Sequence, residues 1–579
     1  MSKLNVDQTT IKDLFQSPKS EFLIPDYQRP YAWGENECQT LWDDIFAFAI
    51  PNNNAQDFVR ESEYFLGPIV TFNNNGKMEV IDGQQRLTTL MLLLRAFLGK
   101  FSKMKDDESV KTKENIERCI YITDEFGRPD FNSLKIASEV ATDNDKDEFM
   151  KILRTGESSK DSKCAYAQNY RFFQNKIAEF IDEFPTYAAF LPTRIMSNCI
   201  LLPIEAESQD TALRIFSTLN DRGKPLSDAD IFKAKFYKYY SDLGQKDEFI
   251  SRWKTLEERC SRIFHPATGT PMDEIFTRYM YFLRAKSGNK ASTTEALRKF
   301  YERDDYSVLK DPTTMENLEV LARFWEDVSN QDSEVLSNTI LKDLFILNYA
   351  PNSMWTYFVS VYFMQNKDEN GKLEENAFHD FLVKTIAFIW AYAIMNPGVN
   401  ALRTPVYAEM INIIEGQPVT FDKFKFIEDT LRSTIGNYEF TNNRPITKSM
   451  LVWWAFQDTN QDLLSIETLF ETEHIYARKR QENEQSLSNP RNLESLGNKA
   501  ILEKKINIRA SEYRFDDKKK YYLGFQNAKG EYKEGTKVSE LIYLATTKDD
   551  FTEQDIINRY TRIVDSFINY LKENNLIAG

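Results

Sequence analysis

Apolar residues recur every three or four positions over several long stretches and alternate only over short ones, so the chain reads as mainly helical with a few strands. A short helix is expected near Thr10 to Phe15. Cys38, Leu41, Trp42, Ile45 and Phe46 predict another over 35–50, stopped by Pro51 and the asparagines after it. Strands are expected at 64–72 and 77–81, joined as a hairpin through Asn73-Asn74-Asn75-Gly76. The second strand turns through Asp82-Gly83 into Gln84-Gln85-Arg86-Leu87-Thr88-Thr89-Leu90, the start of a strongly apolar helix. A polar stretch over 100–163 reads as edge insertions. An amphipathic helix follows over 165–184, then a buried strand at 200–204, and a helix whose Ala212, Ile215, Phe216 and Leu219 share a face before it stops at Gly223. Ser227 and Asp230 form a capping-box pattern opening the next helix. Residues 247–396 are nearly all helical, and the apolar run from Ile386 to Met395 is shorter than a bilayer needs, which predicts a buried helix and no membrane span.

A chain of 579 residues exceeds one core, and the pattern divides it at 1–243, 244–400 and 401–579. With 42% hydrophobic and 28% charged residues it is excluded from the disordered class. Cys38, Cys119, Cys164, Cys199 and Cys260 are scattered without C-x-x-C spacing, which points to reduced thiols and to neither a disulfide framework nor a zinc site. The N-terminus lacks the apolar core of a secretion signal, so a cytoplasmic location is expected. A net charge of −15 opposes indiscriminate binding to DNA. Locally the sign reverses: Arg478-Lys479-Arg480, Lys504-Lys505 and Lys518-Lys519-Lys520 fall close together, either as a DNA-binding patch or as a solvated face.

Two polar clusters carry candidate chemistry. Gly83 permits the sharp strand-to-helix turn, and the first N–H groups of the helix then face outward as an anion site. Arg86 is placed to grip a phosphate, and Asp82, Gln84 and Gln85 to hold a metal ion or position a water; the competing reading is a capped core helix with a solvated first turn. Gly223-Lys224-Pro225 lacks the glycine spacing of a P-loop. The second cluster is Glu473-His474, with Asn492, Asn498 and Asn507 after it. A histidine beside a carboxylate, with asparagines returning later, has the base and oxygen ligands that metal-assisted phosphodiester hydrolysis requires. His265 and His379 have no evident partners and read as surface or capping residues.

Four motifs resemble, in order, those of the GmrSD-type restriction proteins: Ile24-Pro25-Asp26-Tyr27-Gln28-Arg29-Pro30-Tyr31-Ala32-Trp33, Tyr64-Phe65-Leu66-Gly67-Pro68-Ile69-Val70, Asp82-Gly83-Gln84-Gln85-Arg86, and the stretch from Ile215 through Asn220-Asp221-Arg222-Gly223-Lys224 to Ser227. The Glu473-His474-Ile475, Leu496-Gly497-Asn498 and Asn507 spacing resembles the HNH-like half of the same family. The resemblance implies an α+β multidomain protein: an N-terminal ParB/sulfiredoxin-like α/β domain, a helical middle, and a C-terminal HNH-like (ββα-metal) nuclease domain in a largely helical setting. It implies nucleoside triphosphate hydrolysis (GTP, ATP or another) coupled to magnesium- or manganese-dependent cutting of modified phage double-stranded DNA, with a homo-oligomer left open.

The same resemblance assigns site roles. Gln28, Arg29, Asp82, Gly83, Arg86, Asn220, Arg222 and Lys224 would bind nucleotide, with Asp82, Gln84, Gln85 and Arg86 catalytic there. His474 would be the general base, Asn498 its orienter, and Glu473 and Asn507 the metal ligands; the charge run, read by itself, offers Arg478, Lys479, Arg480, Lys504 and Lys505 as DNA contacts. The family often has proline where this chain has Ala477, and a second histidine where it has Asn507. The alternative is a nucleotide-gated, ParB-like DNA-binding or regulatory protein without cleavage.

Overall fold

The structure is a computed structural model. It describes residues 5–578 except 7, 18–19, 75, 141–142, 160, 209–210, 213–214, 216–226, 294, 399 and 512–513. The chain forms two compact units, Met1–Thr255 and Leu256–Gly579.

The first unit is built on a mixed seven-stranded sheet among the described residues. Its strands are β1 (Asn5–Val6), β2 (Thr9–Thr10), β3 (Phe22–Ile24), β4 (Tyr64–Asn74), β5 (Lys77–Asp82), β6 (Ile136–Ser138) and β7 (Cys199–Ala206). The order is β1-β7-β4-β5-β3-β6, with β2 also paired to β7. The β4–β5 hairpin is antiparallel, whereas β4 runs parallel to β7 and β5 parallel to β3. Helices α1 (Ile11–Gln16) and α2 (Glu35–Ala49) precede the hairpin, and α3 (Gln84–Phe101) follows it without a loop. Gly83 makes that junction with φ +90°, the left-handed conformation expected of the turn. From Leu87 to Leu98 every residue of α3 is buried, so this helix is the centre of the core and not an amphipathic cover. Helix α4 (Ala165–Glu183) packs on it, and the Ser227–Asp230 capping box opens α5 (Asp228–Asp242).

Helix α6 (Lys246–Ile263) crosses the boundary between the units. The second unit continues with α7 (Pro271–Lys286), α8 (Pro312–Ser329), α9 (Asn338–Leu347), α10 (Met354–Asn366) and α11 (Glu375–Met395). Aromatic pairs lock these helices together: Tyr281 stacks on Tyr357 at 4.6 Å between α7 and α10, and Phe324 on Phe363 at 4.2 Å between α8 and α10. The apolar run ending at Met395 belongs to a 21-residue helix, longer than the sequence pattern suggested. By length and composition α11 alone among the described residues could cross a membrane, but 61% of its apolar window is buried inside the fold. His379, on α11, meets the buried Asp343 of α9 at 2.6 Å, a partner 36 residues away that the sequence did not reveal.

Near the end of the chain an antiparallel hairpin, β8 (Phe470–His474) and β9 (Lys499–Glu503), runs directly into α12 (Lys504–Ala510) and then α13 (Phe515–Leu523). The 24-residue excursion between the two strands is pinned from below by α14 (Glu553–Glu573). From that helix the buried Arg559 donates to the carbonyls of Leu496 (2.8 Å), Gly497 (3.2 Å) and Lys499 (2.7 Å).

Candidate active sites

At the β5–α3 junction three glutamines face inward. Gln28 donates to the carbonyls of Val80 (3.3 Å) and Ile81 (3.1 Å), and Gln84 to that of Arg29 (3.2 Å). Gln85 donates to the carbonyl of Pro30 (3.1 Å) and accepts from the N–H groups of Ala32 (2.7 Å) and Trp33 (3.2 Å). All three are buried, and together they sew the 24–33 segment onto the strand and the helix. Tyr31 and Asn169 extend the seam: the Tyr31 hydroxyl meets Thr89 Oγ1 at 2.7 Å and takes the Asn169 amide at 2.9 Å. Gln85 spends both ends of its amide on backbone partners, and Gln28 and Gln84 spend their NH2 groups, so all three position the 24–33 segment against the turn.

The charged members of the cluster do come together. Asp82 Oδ1 accepts the Gly83 N–H at 2.7 Å, and the charges of Arg86 and Arg29 both act on this carboxylate. Burial raises the Asp82 pKa above the usual carboxylate value, against the lowering effects of the Gly83 N–H, Arg86 and Arg29. Burial likewise lowers the Arg86 pKa, with Asp82 opposing it. The first bond of α3 runs from Leu87 N–H to the Gly83 carbonyl at 2.8 Å, so the earlier N–H groups point out of the helix end. Asn220, Arg222 and Lys224 lie outside the described residues.

Arg86 owes its position to Gly67. Its Nη1 donates to the Pro68 carbonyl at 2.8 Å, and a Cβ placed on Gly67 would lie 2.8 Å from Nη2. A Gly67→Ala substitution should therefore push the guanidinium off its seat and, because Gly67 holds φ +123°, also strain β4 locally, while α3 keeps its packing. On the reading of this turn as a nucleotide site, titration of a fluorescent nucleotide analogue should show affinity lowered about tenfold, ~1.4 kcal/mol, with the helical circular dichroism retained.

At the second cluster, strand alternation puts Glu471 and Glu473 on one face of β8 and His474 on the other. The buried Glu473 Oε1 takes the ammonium of Lys518 at 2.7 Å and the hydroxyl of Tyr522 at 2.5 Å, both from α13. Asn507 gives its amide to Glu471 at 2.9 Å. The two expected metal ligands thus have different partners, and one carboxylate oxygen of Glu473 already faces an ammonium. Among the described residues no three His, Cys, Asp or Glu side chains are grouped to hold a metal ion. Glu473 and Asn507 do not fit a resident divalent cation in this arrangement, because the charge that would attract it is neutralised by Lys518.

His474 is 8% exposed, and its Nε2 lies 3.3 Å from Glu494 Oε1, an ion-pair distance without the alignment of a hydrogen bond. Glu494 also binds Arg478 Nη2 at 2.7 Å and, through Oε2, the fully buried Lys499 Nζ at 2.5 Å. The contact with His474, then that with Lys499, holds the Glu494 carboxyl well below the usual carboxylate range despite burial. Asn498 is fully buried: its Oδ1 accepts the Tyr476 N–H at 2.7 Å, and its Nδ2 donates to the carbonyls of Tyr476 (3.0 Å) and Leu493 (2.9 Å). It fixes the loop that leaves His474. Glu494 and Arg478 face a cleft of about 690 Å³, shared with Gln481, Glu482, Gln485 and Leu487.

The basic run divides in two. Arg480 is only 12% exposed and holds Asp550 through both terminal nitrogens at 2.7 and 2.8 Å, with its guanidinium 4.6 Å from the Tyr476 ring centre. It is an internal strut, which corrects its place among the DNA contacts. Lys479 pairs with Glu482 at 3.2 Å and Lys504 lies 3.5 Å from Glu471, each at the surface, and Lys505 is exposed.

With this geometry in hand, two family models match the chain. The N-terminal domain of the GmrSD restriction endonucleases matches residues 11–237, and the C-terminal domain of GmrSD restriction endonucleases matches residues 410–566. The chain belongs to the GmrSD restriction endonucleases. The first match contains the Asp82–Arg86 turn and the second contains His474, Glu494, Asn498 and Asn507. Membership makes this GmrSD protein a nuclease, a hydrolase whose substrate is DNA. No curated protein matches the chain. Glu494 was missed by sequence reasoning because it stands 20 residues beyond His474, and only the folded loop joins the two.

Proposed function

We propose that this GmrSD protein couples nucleoside triphosphate binding at the start of α3 to hydrolysis of modified phage DNA at His474. The observation that carries the proposal is the His474–Glu494–Lys499 chain, a histidine set against a carboxylate that is itself held by a buried ammonium. With Nε2 against the carboxylate, Nδ1 is the nitrogen left to take a proton from water, and Glu494 stabilises the imidazolium that forms. We assign Arg478, at the cleft, and Lys505, exposed on α12, to the phosphates of the DNA strand.

In the first unit Arg86, Arg29 and the N–H groups of α3 would hold the phosphates, with Asp82 the acid-base group beside them. The triphosphate, when bound, supplies the hydrolytic free energy and the charge that these groups read. We take 1–243 as the ParB/sulfiredoxin-like part, 244–400 as the helical linker and 401–579 as the HNH-like nuclease part. The reading as a regulatory protein without cleavage draws on one observation, the engagement of Glu473 by Lys518 and Tyr522.

The test offers the full chain modified and unmodified phage DNA with each nucleoside triphosphate in turn, with and without magnesium or manganese. The expected result is nucleotide-dependent cutting of the modified DNA alone. Nucleotide turnover without cutting under every condition would leave the regulatory reading in its place.

A further inference from the structure

Lys518 opens the run Lys518-Lys519-Lys520, which the sequence offers as part of a basic patch, yet it is 1% exposed, where a DNA phosphate does not reach it. From α13 its Nζ donates to Glu473 Oε1 at 2.7 Å and to the backbone carbonyl of His474 at 2.6 Å. Tyr522, one turn further along α13, donates to the same Glu473 oxygen. Ammonium, carboxylate and hydroxyl thus form one buried cluster on the face of β8 opposite the imidazole. The next two lysines are used differently: Lys519 lies 3.8 Å from the exposed Asp549, and Lys520 lies 4.9 Å from the centre of the Tyr521 ring.

A buried ion pair is a weak source of stability, because desolvating both charges offsets their attraction, and an apolar pair of similar volume would hold α13 on β8 as well. What an apolar pair cannot do is bind a carbonyl. His474 is the last residue of β8, and the peptide that follows it is held from both sides. Lys518 takes its carbonyl, and its N–H, that of Ile475, donates to the Asn498 carbonyl at 2.9 Å. The next N–H, that of Tyr476, goes to Asn498 Oδ1. Fixing this peptide fixes the backbone from which the imidazole departs, and with it the direction in which Nε2 meets Glu494.

We infer that Lys518 is a positioning residue of the nuclease: acting through the His474 carbonyl and not through DNA, it holds the imidazole against Glu494 in the orientation that proton transfer from water requires. Glu473 is then the counter-ion that keeps Lys518 on the carbonyl. The inference rests on His474 being the base, as proposed above.

Lys518→Met alone would strand the buried Glu473 carboxylate, so the test pairs it with Glu473→Gln in the full chain. The paired variant leaves no buried charge alone and keeps an acceptor for Tyr522, but the His474 carbonyl loses its ammonium. Tyr522→Phe is the comparison: it takes a hydrogen bond from the same cluster and leaves the ammonium on the carbonyl. In a plasmid-nicking assay at saturating DNA, the paired variant should cut about tenfold more slowly or worse, on the scale that ~1 Å of misplacement can cost. Tyr522→Phe should melt lower yet cut at the wild-type rate, and DNA affinity by fluorescence anisotropy should be the same in all three proteins. The chain has three histidines, so a spectrum of carbon-13-labelled histidine adds a readout independent of cutting. The resonance that His474→Asn deletes should shift or split in the paired variant, with those of His265 and His379 unmoved. An unmoved His474 resonance or a full cutting rate in the paired variant would overturn the inference. So would equal slowing by Tyr522→Phe, which would make the cluster merely structural, or weaker DNA binding with the salt dependence reduced by about one phosphate contact, which would make Lys518 a DNA contact. His474→Asn, assayed alongside, separates the two readings: full cutting by it removes the base and this inference with it, whereas no cutting by it and full cutting by the paired variant removes Lys518 alone.

Discussion

His474→Asn should abolish strand cutting while leaving nucleotide binding in the first unit intact. Removing a positioned base typically costs about 10²–10⁴ in rate, which takes a slow nuclease below detection in a plasmid-nicking assay. Asparagine is the informative substitution because the site is buried and polar on one side: alanine would open a cavity and leave Glu494 without its neighbour. Glu494→Gln makes a graded control. It keeps the shape but leaves one acceptor oxygen for the two cations, Arg478 and Lys499, and removes the negative charge opposite Nε2, so the rate should fall without vanishing. Cutting by His474→Asn at the wild-type rate would remove the histidine from the reaction, whatever the folded state of the loop.

The parts of this architecture that the sequence displays are those in which local chemistry and burial agree. Helix α3 is one: an Asp-Gly turn followed by apolar residues on every side leaves little choice but a central helix, and its buried length confirms it. The β4–β5 hairpin and the Ser227–Asp230 capping box are others, each fixed by side chains within a few positions of one another. What the sequence conceals is where a polar side chain spends its hydrogen bonds. Gln84 and Gln85 sit in the signature beside Arg86, yet their amides close on the 24–33 backbone, more than fifty residues earlier. Arg478 and Arg480 look equivalent in a charge run, but they lie two positions apart on a short helix, Arg478–Glu484, which turns one toward the cleft and the other onto Asp550. Glu471 was within reach of the strand pattern, since alternation places it on the face of Glu473; its pairing with Asn507 depends on where α12 begins, which periodicity does not give. The Asp343–His379 and His474–Glu494 pairs link positions 36 and 20 residues apart, and nothing short of the fold brings them together.

Asp82→Asn should lower nucleotide turnover at least about a hundredfold, the usual cost of losing an acid-base group, and at the same time raise the melting temperature at neutral pH. The stability half follows from the sign of the pKa shift. Burial, partly offset by the Gly83 N–H, Arg86 and Arg29, raises the Asp82 pKa in the folded chain. Below the ordinary carboxylate value the folded and unfolded chains both carry the proton, and the shift costs nothing. Between that value and the raised one the folded chain keeps a proton that the unfolded chain has released, so stability falls as pH climbs through the window and stays lower above it. Asparagine resembles the protonated acid and has no such window: its Oδ1 still accepts the Gly83 N–H. Thermal melts of the two proteins should therefore agree at acid pH and separate near neutrality, with the variant higher. On the proposed function, a carboxylate whose burial opposes its charge, acted on by Arg86 and Arg29 at a helix N-terminus, trades stability for reactivity. Two results would contradict this account independently: unchanged turnover would move nucleotide hydrolysis to another part of the chain, and a lower melting point at neutral pH would show that the ionised carboxylate stabilises Arg86 more than its burial costs.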